Sequence, residues 1–346
     1  MKERCFYLDF VRALAVILIL MTHYNANYIY MGTEEALNKA VVSTKIANIY
    51  IGDFGVALFL IISGAALMYT YEKKLDIKQF YQKRFMSIYP MFWIGYFICF
   101  AHYFIVHGGI YRDFPRWRIL LTFFGMDGYL GIIFPNFYLI GEWFLGFIIL
   151  AYIIFPVLRK GVNEHPVITL IVGMSIYFYF ILDYNIPFTK NIFFFIRIIE
   201  IIFGMYFMKY IKKVNTISAL IALLILIINS IMQPNIDASF QMTYIGISAF
   251  LVLVYLSEFF KKSVLVKRMC QILSKYSYAI FLTHHYIFSC FVSKVDLNQL
   301  SVFESYVFFI ILCCIVGIFS KLLYEIHSYI IEKTKKYYNL IKNKQG

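Results

Sequence analysis

Apolar residues along this chain come in runs about as long as a bilayer is thick, and polar positions fall mostly between the runs. A helix rises 1.5 Å per residue, so about 20 apolar residues cross the ~30 Å hydrocarbon core. On that criterion the pattern predicts membrane helices near residues 6–28, 52–71, 88–107, 137–158, 166–182, 191–209, 217–232, 240–259, 276–293 and 303–326. The segment from Ile119 to Phe134 is also apolar, but it is short and interrupted by Gly125, Asp127, Gly128 and Gly131, so it reads as a re-entrant or interfacial piece rather than a span. The expected fold class is all-α, a polytopic membrane helix bundle. Residues 1–332 form the membrane domain and residues 333–346 a basic tail.

Composition supports that reading. The chain is 62% hydrophobic and 15% charged, whereas a soluble domain is roughly 45–50% apolar and 25% charged. A water-soluble fold is thereby excluded. The net charge of +13 raises nucleic acid as a partner, but a nucleic-acid binder gathers its cations on one patch. Here they sit in short loops at alternate helix ends: Lys73, Lys74, Lys78, Lys83 and Arg84, then Arg159 and Lys160, then Lys209, Lys212 and Lys213, then Lys261, Lys262, Lys267, Arg268 and Lys275, then a tail with Lys333, Lys335, Lys336, Lys342 and Lys344. The intervening loops hold only Lys39, Lys45, Arg112, Arg116, Arg118, Lys190 and Lys294. The alternation fits about ten helices with both termini cytoplasmic. No nucleic-acid partner is expected; the bilayer is one, and the tail reads either as a solvated end or as a contact for anionic lipid.

Lys2 and Arg4 precede an apolar stretch, as in a signal peptide, but no Ala-x-Ala-like site follows. A retained signal-anchor helix is expected. Cys5, Cys99, Cys270, Cys290, Cys313 and Cys314 lack metal-type spacing, and four lie inside apolar runs. No disulfide and no metal site is expected.

An ionisable residue inside a membrane helix carries a penalty of roughly 2.5–3.5 kcal/mol on insertion scales, so each one needs a reason. Arg12 and His23 lie eleven residues apart in the first helix, which returns them to within about 20° of one face with about 16 Å of axial separation. Asp9 stands three residues before Arg12 and can pair with it. Spacing alone leaves two accounts open, an active site or an interfacial ion pair with a helix-packing histidine. Arg197 and Glu200, three apart in an apolar helix, read as a structural pair that neutralises itself.

The run Tyr7-Leu8-Asp9-Phe10-Val11-Arg12-Ala13-Leu14-Ala15 followed by His23 resembles the start of the membrane-bound acyltransferase-3 family, whose signature is an Arg, ten residues and a His. Asp53-Phe54-Gly55-Val56-Ala57-Leu58-Phe59-Leu60-Ile61-Ile62-Ser63-Gly64 is similar to its second-helix motif; Ser63 and Gly64 admit close approach of either a helix or a ligand. Lys83-Arg84-Phe85-Met86-Ser87-Ile88-Tyr89-Pro90 resembles its basic loop, with Ser87 where a second Arg is usual. Trp143-Phe144-Leu145 and Tyr152 to Pro156 resemble its Trp-x-Leu helix, with Ile148 where many members place a Glu. Ser277-Tyr278-Ala279-Ile280-Phe281-Leu282-Thr283-His284 resembles its motif near the chain end.

The resemblance implies an acyl-CoA-dependent O-acyltransferase, commonly an acetyltransferase, in a bacterial cytoplasmic membrane, with a cell-surface or capsular polysaccharide or its lipid-linked precursor as acceptor. Acyl-CoA is then a donor substrate, and no permanently bound cofactor is expected. His23 and Arg12 are the expected catalytic pair, the first as general base and the second on the donor. Arg84, Ser63, Glu142 and His284 are candidate substrate-binding residues. Each also has an ordinary reading: positive-inside charge for Arg84, helix packing for Ser63, an interfacial carboxylate for Glu142, and a packing histidine for His284, as for His285 and His102. A transporter or flippase for lipid-linked sugars, or a polymerase, is the competing class, since many helices with buried charges describe those too.

Overall fold

Ten long helices form where the apolar runs lie. In the computed structural model, which describes residues 5–109 and 114–345, they are α1 (Phe6–Met31), α2 (Ile51–Tyr71), α3 (Ile77–His107), α4 (Glu142–Glu164), α5 (Pro166–Leu182), α6 (Phe194–Tyr206), α7 (Thr216–Met232), α8 (Ala238–Phe260), α9 (Val264–Val292) and α10 (Val302–Gln345). Lys2, Arg4, Arg112 and the side chains of Lys335, Lys342 and Lys344 lie outside the described residues. Seven spans are long and apolar enough to cross a membrane, and α5 and α7 are shorter apolar helices. The chain is thus an all-helical, multi-pass membrane protein, and the described strands are a two-residue hairpin, β1 (Lys45–Ile46) against β2 (Ile49–Tyr50).

Local chemistry sets the helix ends. Asp76, Asn215 and Asp237 accept hydrogen bonds from backbone N–H groups in the first turns of α3, α7 and α8. Gly32 ends α1 in the left-handed region at φ 70°, a conformation that favours glycine. Arg159 donates to the carbonyls of Tyr71 and Glu72, closing the last turn of α2. Three helices outrun the predicted spans. α3 starts at Ile77 rather than residue 88, α9 at Val264 rather than 276, and α10 continues past residue 326 to Gln345. Apolar pattern marks only the part of a helix that lies in lipid, whereas the backbone hydrogen bonding continues into water.

The chain divides into two compact units. The first comprises the chain up to Leu75, Leu150–Ser277 and Asp296–Phe309. Within it α2 packs on α1, α6 and α8, while α6 also packs on α5 and continues as a π turn over Phe207–Ile211. The tightest place is the crossing of α2 and α6. A Cβ on Gly64 would sit 2.0 Å from the Ile201 carbonyl oxygen, and a Cβ on Gly204 would sit 2.0 Å from that of Ile61. Two glycines, one per helix, let the backbones touch.

The second unit comprises Asp76–Ile149, Tyr278–Val295 and the chain from Ile310. Here Tyr278 Oη donates to Ile88 O at 3.1 Å, His102 Nδ1 bonds Tyr286 Oη at 2.8 Å, and the hydroxyls of Thr283 and Ser320 pair at 3.0 Å. These bonds tie α3 to the C-terminal half of α9 and α9 to α10. The segment predicted as re-entrant forms two short helices, Ile119–Phe123 and Asp127–Leu130, turned at Gly125 with φ 66°.

Candidate functional site

Arg12 and His23 both lie on α1, an unbroken helix, so their spacing of three turns is a property of the structure. Neither is fully buried; each is half-buried on a helix on which Val11, Ala15, Tyr24 and Tyr28 are enclosed. Arg12 Nη1 donates to Ser274 Oγ on α9 at 3.0 Å. Asp9, one turn earlier, is 5% exposed.

The rotation of His23 about the α1 axis is set by its neighbours. Tyr24 Oη donates to Ser305 O at 2.9 Å and Tyr28 Oη to Ser305 Oγ at 2.8 Å. Asn25 donates to Val41 O at 2.9 Å and accepts from Val41 N–H at 2.8 Å. Three polar side chains around His23 are thus committed, which holds the helix end against rotation.

In the same unit Ser63 Oγ donates back to Phe59 O at 2.7 Å, and its neighbour Gly64 is filled by the α6 backbone. The close approach that the Ser-Gly pair admits is therefore made by a helix. Arg197 and Glu200 form an ion pair at 2.9 Å with both side chains 0% exposed. Asp53 in the first turn of α2 joins them: it feels the Arg197 charge and accepts from Asn191 Nδ2 at 3.5 Å.

The second unit contains another polar constellation. Glu142, the first residue of α4, has φ 44°, following Gly141 with φ 92°. A non-glycine residue in the left-handed region is strained, and such strain collects at functional sites. Glu142 Oε1 accepts from Tyr138 Oη at 2.8 Å and lies 2.9 Å from His285 Nδ1, with Tyr138 Oη 3.3 Å from the same nitrogen. Burial, and then the Glu142 charge, push the Tyr138 phenol well above its ordinary value, so it stays a donor. A neutral His285 that donates Nδ1–H to Glu142 carries its lone pair on Nε2, the arrangement of a carboxylate-oriented base.

Glu142 also borders a cavity of about 520 Å³, lined by Phe114, Tyr138, Trp143, Asn136, Ile132, Pro135 and the backbones of Gly128 and Gly131. Asn136 donates to the carbonyls of Asp127 at 2.9 Å and Phe134 at 3.1 Å, and accepts from Tyr138 N–H at 2.8 Å. Asp127 is 1% exposed and its Oδ2 has no hydrogen-bond partner, so burial raises its carboxyl to about 6 despite the Gly128 N–H and the nearby Thr122 hydroxyl.

That shift gives a pH dependence. A carboxyl raised in the folded state stabilises the fold fully below its ordinary value near 4, and the stabilisation is lost as pH rises through about 6. Asp127→Asn keeps the Oδ1 that accepts from Gly128 and removes the buried charge. The expected result is a gain of up to about 3 kcal/mol at pH 7.5 and little change at pH 4. Thermal unfolding of both forms across that range checks it; equal offsets at both pH values would count against a buried charge.

Arg84 lies near the start of α3 with its guanidinium 5.8 Å from the Phe80 ring. His284 is 0% exposed, and its Nδ1–H turns back onto the carbonyls of Ile280 at 3.0 Å and Phe281 at 2.9 Å. Its neighbour His285 is the one that meets a carboxylate. Sequence reasoning did not assign Ser274, Tyr138, Asn136, His285 or Asp53 to a site. For His285 the signal was a titratable residue inside an apolar run, and for Tyr138 a phenol shortly before a helix start, features that many idle residues share.

A family model described as an acyltransferase domain matches residues 6–325. No curated protein matches the chain. No solved structure matches it either.

Proposed function

The chain belongs to the acyltransferase-3 family and is a multi-pass membrane acyltransferase, and from that premise we propose that it carries an acyl group, acetyl in the first instance, from cytoplasmic acyl-CoA to a hydroxyl of a cell-surface or capsular polysaccharide or of its lipid-linked precursor, in a bacterial cytoplasmic membrane. The observation that carries this reading is the placement of Arg12 and His23 on one face of an unbroken helix, with the first anchored by Ser274 and the second held in rotation by Tyr24, Asn25 and Tyr28. The transporter and polymerase readings have no comparable support.

The two residues are about 16 Å apart along the axis, so they serve different parts of the reaction. Arg12, in the cytoplasmic half, holds a phosphate of the donor, because a guanidinium presents a planar fork of N–H groups to phosphate oxygens. The long pantetheine arm covers the remaining distance and brings the thioester to His23. The neutral imidazole takes the proton of the acceptor hydroxyl as its oxygen bonds to the carbonyl carbon. The carbon–sulfur bond breaks, the thiolate leaves, and the imidazolium returns the proton to sulfur. The products are an ester and free CoA.

Incubating membranes with labelled acetyl-CoA tests the class of reaction: alkali-labile label in glycan is expected, and label confined to free acetate or CoA would overturn it. Arg12→Lys keeps the charge and loses the fork. It is expected to raise the Michaelis constant for acyl-CoA by about tenfold with a smaller change for the acceptor. An unchanged donor constant would remove Arg12 from donor binding.

A further inference from the structure

We propose that the cavity between the 119–134 segment and the start of α4 is a binding site for an uncharged pyranose ring of the acceptor, a proposal that rests on the acyl transfer to glycan argued above.

Size admits one or two sugar rings. The cavity of about 520 Å³ lies inside the ~300–1,000 Å³ range of small-molecule sites. Its wall carries the two kinds of surface a pyranose needs. Trp143, Tyr138 and Phe114 supply aromatic faces, on which the C–H face of a sugar stacks, and Trp and Tyr also keep a polar edge. Glu142 supplies carboxylate oxygens on the same wall, 18% exposed, and an ionised carboxylate accepts from hydroxyls more strongly than a neutral group does.

The site is built in advance. Asn136 ties the wall together through its bonds to Asp127, Phe134 and Tyr138. Arg118 Nη1 donates to Pro135 O at 2.7 Å. Gly128 packs so closely that a Cβ there would lie 2.4 Å from the Glu142 carbonyl oxygen, so the short helix Asp127–Leu130 presses directly on the strained start of α4. Strain at Glu142 and rigidity around it are what a pre-organised ligand clamp requires.

Charge decides between ligand classes. Glu142 faces the cavity, Asp127 lies buried behind Asn136, and Arg118 is committed to a backbone carbonyl and lies against the Trp117 and Phe134 rings. A phosphate or carboxylate ligand would meet the Glu142 carboxylate, and the described lining residues include no Lys or Arg. An acyl chain would cover the Glu142 oxygens and add no donor to those already supplied by Tyr138 and His285. A polyol supplies one.

The test uses the full chain in nanodiscs, which avoids sugar-headed detergents. Saturation-transfer NMR with the methyl glycosides of glucose, galactose and N-acetylglucosamine is expected to show ring-proton signal from at least one. Trp143→Ala and Phe114→Ala are each expected to lower that signal at least fivefold. Trp143→Phe, which keeps an aromatic face, retains most of it and reports on folding. In the transfer assay Trp143→Ala is expected to raise the acceptor Michaelis constant at least tenfold while leaving the donor constant within twofold. Saturation transfer that is absent for all three glycosides, or equal in wild type and both alanine variants, overturns the site. If no glycan accepts label but the NMR signal falls in the variants, the site stands and the acyl-transfer reading fails.

Discussion

His23→Ala is expected to leave the chain inserted in the membrane and monodisperse while lowering acyl transfer by about 10²–10⁴-fold, the usual contribution of a positioned general base. The separation of folding from activity follows from the geometry. The bonds of Tyr24, Asn25 and Tyr28 to Val41 and Ser305 at the C-terminal end of α1 all remain in the variant. His23 is only partly buried, so the space that truncation leaves is not fully enclosed. A base also leaves a signature that a packing residue does not: in wild type the acidic limb of kcat/KM follows one protonation, and in the variant that limb disappears from the residual rate. Measured with purified acceptor, full activity of His23→Ala would remove the general-base role. Partial loss with an unchanged pH profile would assign His23 to positioning.

Gly64→Ala is expected to be the most damaging single methyl group in the first unit. The added carbon would stand 2.0 Å from the Ile201 carbonyl oxygen, which belongs to backbone and cannot rotate away, so α2 and α6 must separate. Gly204→Ala makes the reciprocal clash with Ile61. Overpacking of this kind typically costs 1–3 kcal/mol, and about 3 kcal/mol or more is expected where the obstacle is a main chain. The two substitutions act on one crossing, so their combination should fall short of the sum. Gly55→Ala meets only side chains at 3.2 Å and should be milder, whereas Gly317→Ala has open space and should be neutral or slightly stabilising. Thermal loss of monodisperse protein in size-exclusion chromatography ranks the four; equal effects at Gly64 and Gly317 would refute the crossing as a steric constraint.

Hydropathy located the ten long helices because a bilayer imposes one dominant requirement, a long apolar stretch. It placed the start of α4 at residue 137 instead of Glu142 because Phe137 and Ile140 are apolar although the backbone there is not helical. The break comes from two positive φ values at Gly141 and Glu142, and only the glycine advertises such a conformation. The pair Arg197 and Glu200 could be read from spacing, since i and i+3 meet on any helix. Arg12 with Ser274 and Glu142 with His285 could not. Those partners are 262 and 143 positions apart, and periodicity within a helix says which residues share a face but not which helix that face meets. The cavity was hidden for the same reason: its wall joins a short broken segment to a helix start.

The buried ion pair on α6 also bears on how the protein is made. Arg197 and Glu200 meet within one helix, 2.9 Å apart, so α6 carries its own counter-ion before any other helix is present. A lone arginine adds roughly 2.5–3.5 kcal/mol to the transfer of a segment from translocon to lipid, and the glutamate one turn away screens that charge from the moment the helix forms. Asp53 has no such partner of opposite charge in α2 and meets Arg197 only across helices. Biogenesis therefore has an order: α6 can enter the bilayer as a neutral unit, while the carboxylate at the head of α2 waits for the later synthesis of α6 to acquire its cation.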